Sequence, residues 1–252
     1  ISSMDEVIVV DNKSTDHSIN RIICNPSYKN VKIIENSCNT GYAYSCNQVI
    51  KEGVGDFFLL CNNDIELPPN CLNEFERIFI DFPEAGIIGG QILDLNKNEV
   101  RSSFARPTFI SELDYIGRIK KSKNNTVISE VGCLSGACLA VRSSTIKSAG
   151  MMDKDFFFYY EETEWCIRIS KNNWKVLIAP HIKITHIGGS STKSHYPGSR
   201  IEFFRSRLLF WHKVFPAHLT FVLYLWNIPK LIIDSCFYLI VTILTLGLNI
   251  RM

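Results

Sequence analysis

The chain has 252 residues, of which 46% are hydrophobic and 21% charged, close to the soluble globular average, which excludes a disordered chain, a collagen-like repeat or a coiled coil. Lys and Arg number 27 against 25 Asp and Glu, a net charge of +2, too balanced for a protein whose main task is to coat nucleic acid, so no nucleic-acid partner is expected. Residues 200–252 nevertheless carry Arg200, Arg205, Arg207, Lys213, Lys230 and Arg251 against only Glu202 and Asp234, so a faintly acidic body precedes a basic, apolar tail of the kind that meets a membrane surface.

Glu6–Val10 is a β-branched run ending in Asp11-Asn12, which predicts a strand running into a loop. Ser14-Thr15-Asp16 offers caps for a helix through about Ile23, and Val31–Ile34 predicts a second strand. A helix is expected from about Ala43 to Glu52, after the Asn39-Thr40-Gly41 turn. Asp56–Leu60 then reads as a buried strand ending in Cys61-Asn62-Asn63-Asp64. Pro68-Pro69 starts a helix over roughly Asn70–Phe82, and Ala85–Ile92 is a further strand region. Strands alternating with helices predict an α/β fold with a mostly parallel sheet covered on both faces. The polar clusters at Asp11 and Asn62–Asp64 follow strands, so they are expected to meet at the carboxyl ends of the sheet, where such folds bind ligands.

Residues 93–130 are polar and irregular, and Cys133–Arg142 reads as a loop into a strand. Glu161–Lys171 predicts a helix with Asn173 as a left-handed cap, followed by short strands at Lys175–Ile178 and Ile182–Thr185. Leu208–Ile250 is strongly apolar. Leu231–Ile250, interrupted by Asp234, is long enough to span a bilayer, and an interfacial helix pair or a buried hairpin would use the same pattern. The expected division is residues 1–198 as the globular domain and 199–252 as a membrane-associating region, with the flanking positive charge keeping the body cytoplasmic. The nine cysteines include no Cys-x-x-Cys pair, which argues against a structural zinc site and for reduced thiols in a cytosolic setting.

Several residues are chemically suggestive. Asp64, just beyond a buried strand, could hold a divalent cation, which takes carboxylate oxygens together with substrate phosphates. A turn cap would use the same residue type. Asp11 could accept hydrogen bonds from a base or ribose, and the helix start after Gly41 would present N–H groups to a phosphate. Glu161, Glu162 and Glu164 occupy the first turn of a predicted helix, where the helix dipole favours acids in any case. One of them could also serve as a general base. His186, at a strand end beside Gly188-Gly189, could approach a metal.

In combination, VVDNKSTD (9–16), NTGYAYSCN (39–47), LLCNNDIEL (59–67), GACLAVR (136–142), FFFYYEETEWCIR (156–168), THIGGSS (185–191) and FFRSRLLFWHK (203–213) resemble family 2 of the inverting nucleotide-sugar glycosyltransferases, most closely bacterial rhamnosyltransferase-type members. The resemblance implies a GT-A fold, a Rossmann-like nucleotide-binding half joined to an acceptor-binding half. It implies donor-binding roles for Asp11, Asn39, Gly41, Asn47, Asn63 and Arg205, and metal ligation by Asp64 and His186, with Mg²⁺ or Mn²⁺ as cofactor. Glu162 would stand where the family's base stands, with Glu161 beside it. The implied activity is transfer of a sugar, rhamnose from dTDP-rhamnose being the expected donor, onto a lipid-linked or cell-surface polysaccharide acceptor at the cytoplasmic membrane face. The alternative is a glycosyltransferase-like protein that binds a nucleotide sugar or a partner without turnover. The sequence departs from the family in three places. Glu161-Glu162 replaces a Glu-Asp pair, Ser45 stands where Gly is frequent, and the family's first strand with its Thr-Tyr-Asn or Pro-Tyr-Asn loop is expected to precede Ile1.

Overall fold

A computed structural model of the chain describes residues 6–26, 30–113, 127–187, 196–229 and 232. It divides into two compact units, Ile1–Arg106 with Lys121–Leu208, and Pro107–Lys120 with Leu209–Met252. The division expected at residue 199 falls inside a helix, and the second unit also takes in residues 107–120.

In the first unit, β1 (Val7–Asp11) pairs in parallel with β2 (Val31–Glu35), with Asp11 opposite Glu35. Between them lies α1 (Ser18–Ile23), and α2 (Tyr42–Glu52) follows. Among the described residues this pair shares no ladder with the larger, six-stranded sheet. The main path of that sheet is β3 (Phe57–Cys61), β9 (Cys138–Arg142), β5 (Ala85–Leu93), β10 (Lys175–His186) and β4 (Ile65–Glu66). Strands β3, β5 and β10 run in one direction, while β9 lies antiparallel between β3 and β5. Strand β7 (Ser129–Glu130) pairs antiparallel with β10, and β6 (Ser103–Phe104) pairs with β8 (Cys133–Leu134).

Helices cover the sheet because their apolar residues recur at helical spacing. In α3 (Cys71–Asp81) the buried residues are Cys71, Phe75, Ile78 and Phe79. They pack on Ile88 of β5, Ala140 of β9 and Leu177, Ile182 and Ile184 of β10. Helices α5 (Ser143–Ala149) and α6 (Glu161–Lys171) also touch β5. Consecutive Ile87 and Ile88 are both fully buried, as strands covered on both faces require. Arg142 pins the end of α3, donating from Nε to Ala85 O at 3.1 Å and from Nη2 to Phe79 O at 2.6 Å, with its guanidinium over the Phe79 ring.

The two short strands predicted at 175–185 form one strand. Pro180 sits where the pairing with β5 shifts register between Ala179 and Lys183, so the missing N–H is absorbed by an irregularity rather than ending the strand. Helix α7 (Tyr196–Val214) begins in the first unit and ends in the second.

In the second unit, the short α4 (Phe109–Leu113) supplies Glu112, which is fully buried and accepts a 2.9 Å hydrogen bond from Trp211 Nε1. Trp226 Nε1 donates to Leu113 O, and Thr220 Oγ1 to Trp211 O. Residues 217–229 are helical. Among the described residues no helix is long and apolar enough to cross a membrane. The expected span Leu231–Ile250 lies, apart from residue 232, outside them.

Candidate active site

Strand β3 delivers the Asn62-Asn63-Asp64 turn to one end of the sheet. Asn62 N–H donates to Ala137 O at 2.9 Å, and Asn63 is exposed. The chain returns through β4, whose antiparallel pairing with the end of β10 sets His186 opposite Ile65. That register places His186 Nε2 3.0 Å from Asp64 Oδ1, while Ile187 N–H donates to Asp64 O. The two residues expected to serve a metal, 122 positions apart, are thus neighbours. Among the described residues no cluster of three or more His, Cys, Asp or Glu side chains could hold a metal alone. A carboxylate beside an imidazole suits a cation that takes its remaining ligands from substrate phosphates and water, as Mg²⁺ habitually does. The residues present fit that kind of site.

A polar network lies at the ends of β1 and β2. The buried Asp11 carboxylate accepts from Ser14 N–H at 3.2 and 3.1 Å. Asn12 Nδ2 donates to Ser45 Oγ, and Asn12 Oδ1 accepts from Asn36 Nδ2 and Thr40 Oγ1, each at 2.9 Å. Gln48 closes the network with Asn36. Ser45, where the family often has Gly, is therefore a structural link between α2 and the β1 loop. Gly41 has φ +84°, and a Cβ there would stand 2.4 Å from Phe157 O, so only glycine permits the approach. The expected phosphate-binding N–H groups at this helix start are partly engaged. Gly41 N–H donates to Asn39 Oδ1 and Tyr42 N–H to Phe157 O.

Tyr42 carries the contact onward. Its hydroxyl donates to Gly136 O at 2.6 Å. A Cβ at Gly136 would lie 3.5 Å from Glu162 Cγ, so the β8–β9 turn lies beside the candidate base. Glu161 and Glu162 open α6, where the dipole favours their charged forms. Burial outweighs that effect. It raises the pKa of Glu162, and burial with the charge of Glu162 raises that of Glu161 well above the carboxylate range. Glu161 is 3% exposed and its Oε2 has no hydrogen-bond partner. Thr163 Oγ1 donates to Glu162 Oε1. Glu164 is structural: it pairs with Arg168 at 2.8 Å, and Arg168 also donates to Ala149 O and Met151 O.

The loop before α6 is strained. Tyr159 and Tyr160 both have left-handed backbones, with φ of 72° and 69°, a conformation that costs ordinary residues energy. Ser206 Oγ holds the loop by donating to Phe158 O at 2.8 Å, and the Phe203 ring meets Tyr159 edge-on and Tyr160 at a tilt.

The fold thus links Asn39, Gly41, Glu162 and Asn62 through Tyr42, Gly136, Phe157 and Ala137, and sets Asp64 against His186. Asp11 is joined to this region through Asn12 and α2. Two expected donor-binding residues are placed differently. Asn47 is buried and its amide donates to Met152 O at 2.8 Å, which ties α2 to the loop after α5. The Arg205 side chain is 72% exposed and pairs with Glu202 at 3.6 Å. Sequence reading passed over Tyr42, Asn12 and Gly136, although each lies within or beside a recognised motif. Gly188-Gly189 lies outside the described residues.

Comparison with known proteins agrees with this architecture. The family described as Glycosyl transferase family 2 matches residues 2–148. The N-acetylglucosaminyl-diphospho-decaprenol L-rhamnosyltransferase of Mycobacterium tuberculosis is 24% identical over 209 residues, covering 74% of this chain and 67% of the relative. The low-salt glycan biosynthesis hexosyltransferase Agl10 of Haloferax volcanii is 26% identical over 182 residues, covering 69% of this chain and 56% of its own. The chain therefore spans between about half and two thirds of these relatives. A crystal structure of GalNAc-T7 with UDP, GalNAc and Mn²⁺ superimposes with a TM-score of 0.54 at 14% identity, covering 72% of this chain and 37% of that one. A family match over more than half of its length, together with the likeness of its α/β sheet to that structure, establishes that the chain belongs to the family 2 glycosyltransferases and has the GT-A fold.

Proposed function

We propose that the protein transfers a sugar, with inversion, from a nucleotide-diphosphate donor to a lipid-linked or cell-surface polysaccharide acceptor at the cytoplasmic face of the membrane. The carrying observation is the placement of Glu162 against the Gly136 turn, which Asn62 and Tyr42 tie to the Asp64–His186 pair and to α2. Rhamnose from dTDP-rhamnose is the favoured donor, because the mycobacterial relative is by name a rhamnosyltransferase acting on a lipid diphosphate. Glu162 removes the acceptor hydroxyl proton as the oxygen attacks the anomeric carbon. Its raised pKa makes it a stronger base than an exposed carboxylate. Glu161, beside it, is the neutral partner that avoids two adjacent buried charges. Asp64 and His186 would hold a divalent cation, which when bound supplies positive charge for the departing nucleoside diphosphate. Asp11, Asn39 and Asn63 line the donor side.

Membrane association is supported by an exposed apolar stripe on the uncharged helix 217–229, with Phe221 61%, Leu225 58% and Trp226 52% exposed, within a C-terminal region, 200–252, where six Lys and Arg stand against two Asp and Glu. Calorimetric titration with dTDP and Mn²⁺, run beside a turnover assay with dTDP-rhamnose and a polyprenyl-diphosphate acceptor, tests the reading. Asp64→Ala is expected to abolish metal-dependent nucleotide binding. Glu162→Gln is expected to keep binding and to lower turnover by about 10²–10⁴-fold. Near-wild-type turnover in Glu162→Gln would remove Glu162 as the base. Binding without turnover in the wild-type chain would favour the non-catalytic alternative.

A further inference from the structure

Cys61, the last residue of β3, and Cys138, the first of β9, lie directly opposite each other in the antiparallel ladder, with Sγ atoms 3.6 Å apart. The flanking bond from Asn62 N–H to Ala137 O makes this a non-hydrogen-bonded pair. Cα atoms at such positions approach to about 4.5 Å, within the span of a disulfide. The two thiols differ in access: Cys61 is exposed and Cys138 buried. The hydrogen bond with Cys61 and burial hold the Cys138 thiol well above its usual pKa, and burial pushes the neighbouring Cys71 and Cys46 thiols up to about 11 and about 12. An accessible thiol backed by a resolving thiol at van der Waals distance is the arrangement of a redox-responsive pair.

We propose that Cys61 and Cys138 form a reversible disulfide at the edge of the active site. The oxidant is a low-molecular-weight disulfide of the glutathione class. The Cys61 thiolate attacks one of its sulfurs and expels one small thiolate, leaving a mixed disulfide on Cys61. Cys138 then loses its proton and attacks Cys61 Sγ, and the second small thiol departs. Two protein thiols are oxidised and one small disulfide is reduced to two thiols; a dithiol reductant reverses the sequence. Closure brings the sulfurs from 3.6 Å to about 2.05 Å. It pulls the strand that carries Asn62-Asn63-Asp64 against the turn that carries Gly136. A displacement of order 1 Å at such a site is costly to function. The effect on the site rests on the functional reading above, whereas the cross-link does not.

The test uses the full chain, reduced and then equilibrated with glutathione disulfide, alkylated, digested and analysed by mass spectrometry without reduction. A linked peptide pair containing Cys61 and Cys138 is expected, two hydrogens lighter than its parts. It should be lost on reduction and absent from Cys61→Ser and Cys138→Ser. Separate glutathione or alkyl labels on Cys61 and Cys138, under conditions that oxidise Cys24 and Cys38, would overturn the proposal. Calorimetry with dTDP and Mn²⁺ should show binding weakened severalfold in the oxidised chain and restored by dithiol. An unchanged affinity in a fully cross-linked sample would overturn control of the site. A reduced chain that binds no nucleotide would instead count against the functional reading and leave the peptide map to decide the cross-link.

Discussion

Glu161 and Glu162 show how one residue's surroundings decide its chemistry. Both acids sit where a helix dipole should favour ionisation, yet burial raises both pKa values. The proposed base must be ionised, so kcat/KM should be lost as pH falls through the Glu162 value, which burial raises above that of an exposed carboxylate; a pH–rate profile checks this. For stability the sign is the reverse of the usual carboxylate case. The unfolded chain releases the Glu161 proton at a lower pH than the folded chain does, so between those two values the native state binds more protons and stability falls as pH rises. Glu161→Gln removes that dependence. It should stabilise the fold at pH 7, measured by urea unfolding at pH 5 and 7, with the variant's stability changing less than the parent's between the two.

At the scale of elements, one polar side chain adds to the apolar packing that fixes the C-terminal end of α3 to the sheet. Arg142 joins two carbonyls and covers an aromatic ring. Its truncation to Ala should cost about 2 kcal/mol in chemical denaturation and leave nucleotide affinity unchanged, because none of its partners belongs to the site. Lys should rescue poorly, since one ammonium cannot reproduce the planar fork. The main elements were legible where periodicity was strong. Helix α6 occupies the expected residues, and Asn173 adopts the expected left-handed backbone, with φ 63°. Helix α5 escaped because SSTIKSA is short and rich in Ser and Thr, which signal turns as readily as helices. Strand β10 was divided at Pro180, because a register shift that tolerates proline leaves no mark in one strand's sequence. In the site, the meeting of Asp64 and His186 was expected from the family pattern, but the partner of Asn47 could not be read, since Met152 reaches it only through tertiary packing.

The whole molecule combines a family 2 glycosyltransferase unit with a second unit whose described helix, 217–229, exposes Phe221, Leu225 and Trp226. If that surface meets lipid, the chain should sediment with vesicles containing anionic phospholipid and be released as salt rises, since basic residues near such a surface contribute about 1 kcal/mol each. Phe221→Asp with Leu225→Asp should lower the bound fraction at least severalfold while leaving nucleotide binding intact. Equal sedimentation of the variant and the parent would place the membrane contact elsewhere.

Two consecutive tyrosines wound left-handed just ahead of α6 imply a latch rather than a plain connection. The Ser206 hydroxyl is one of several restraints on that torsion, beside the Phe203 ring and the Tyr42 N–H bond to Phe157 O, and a strained loop held by few contacts opens locally at a lower free energy than sheet strands do. Amide deuterium uptake at 157–160 should therefore outrun that of β5 and β10 under native conditions, and Ser206→Ala should hasten it further.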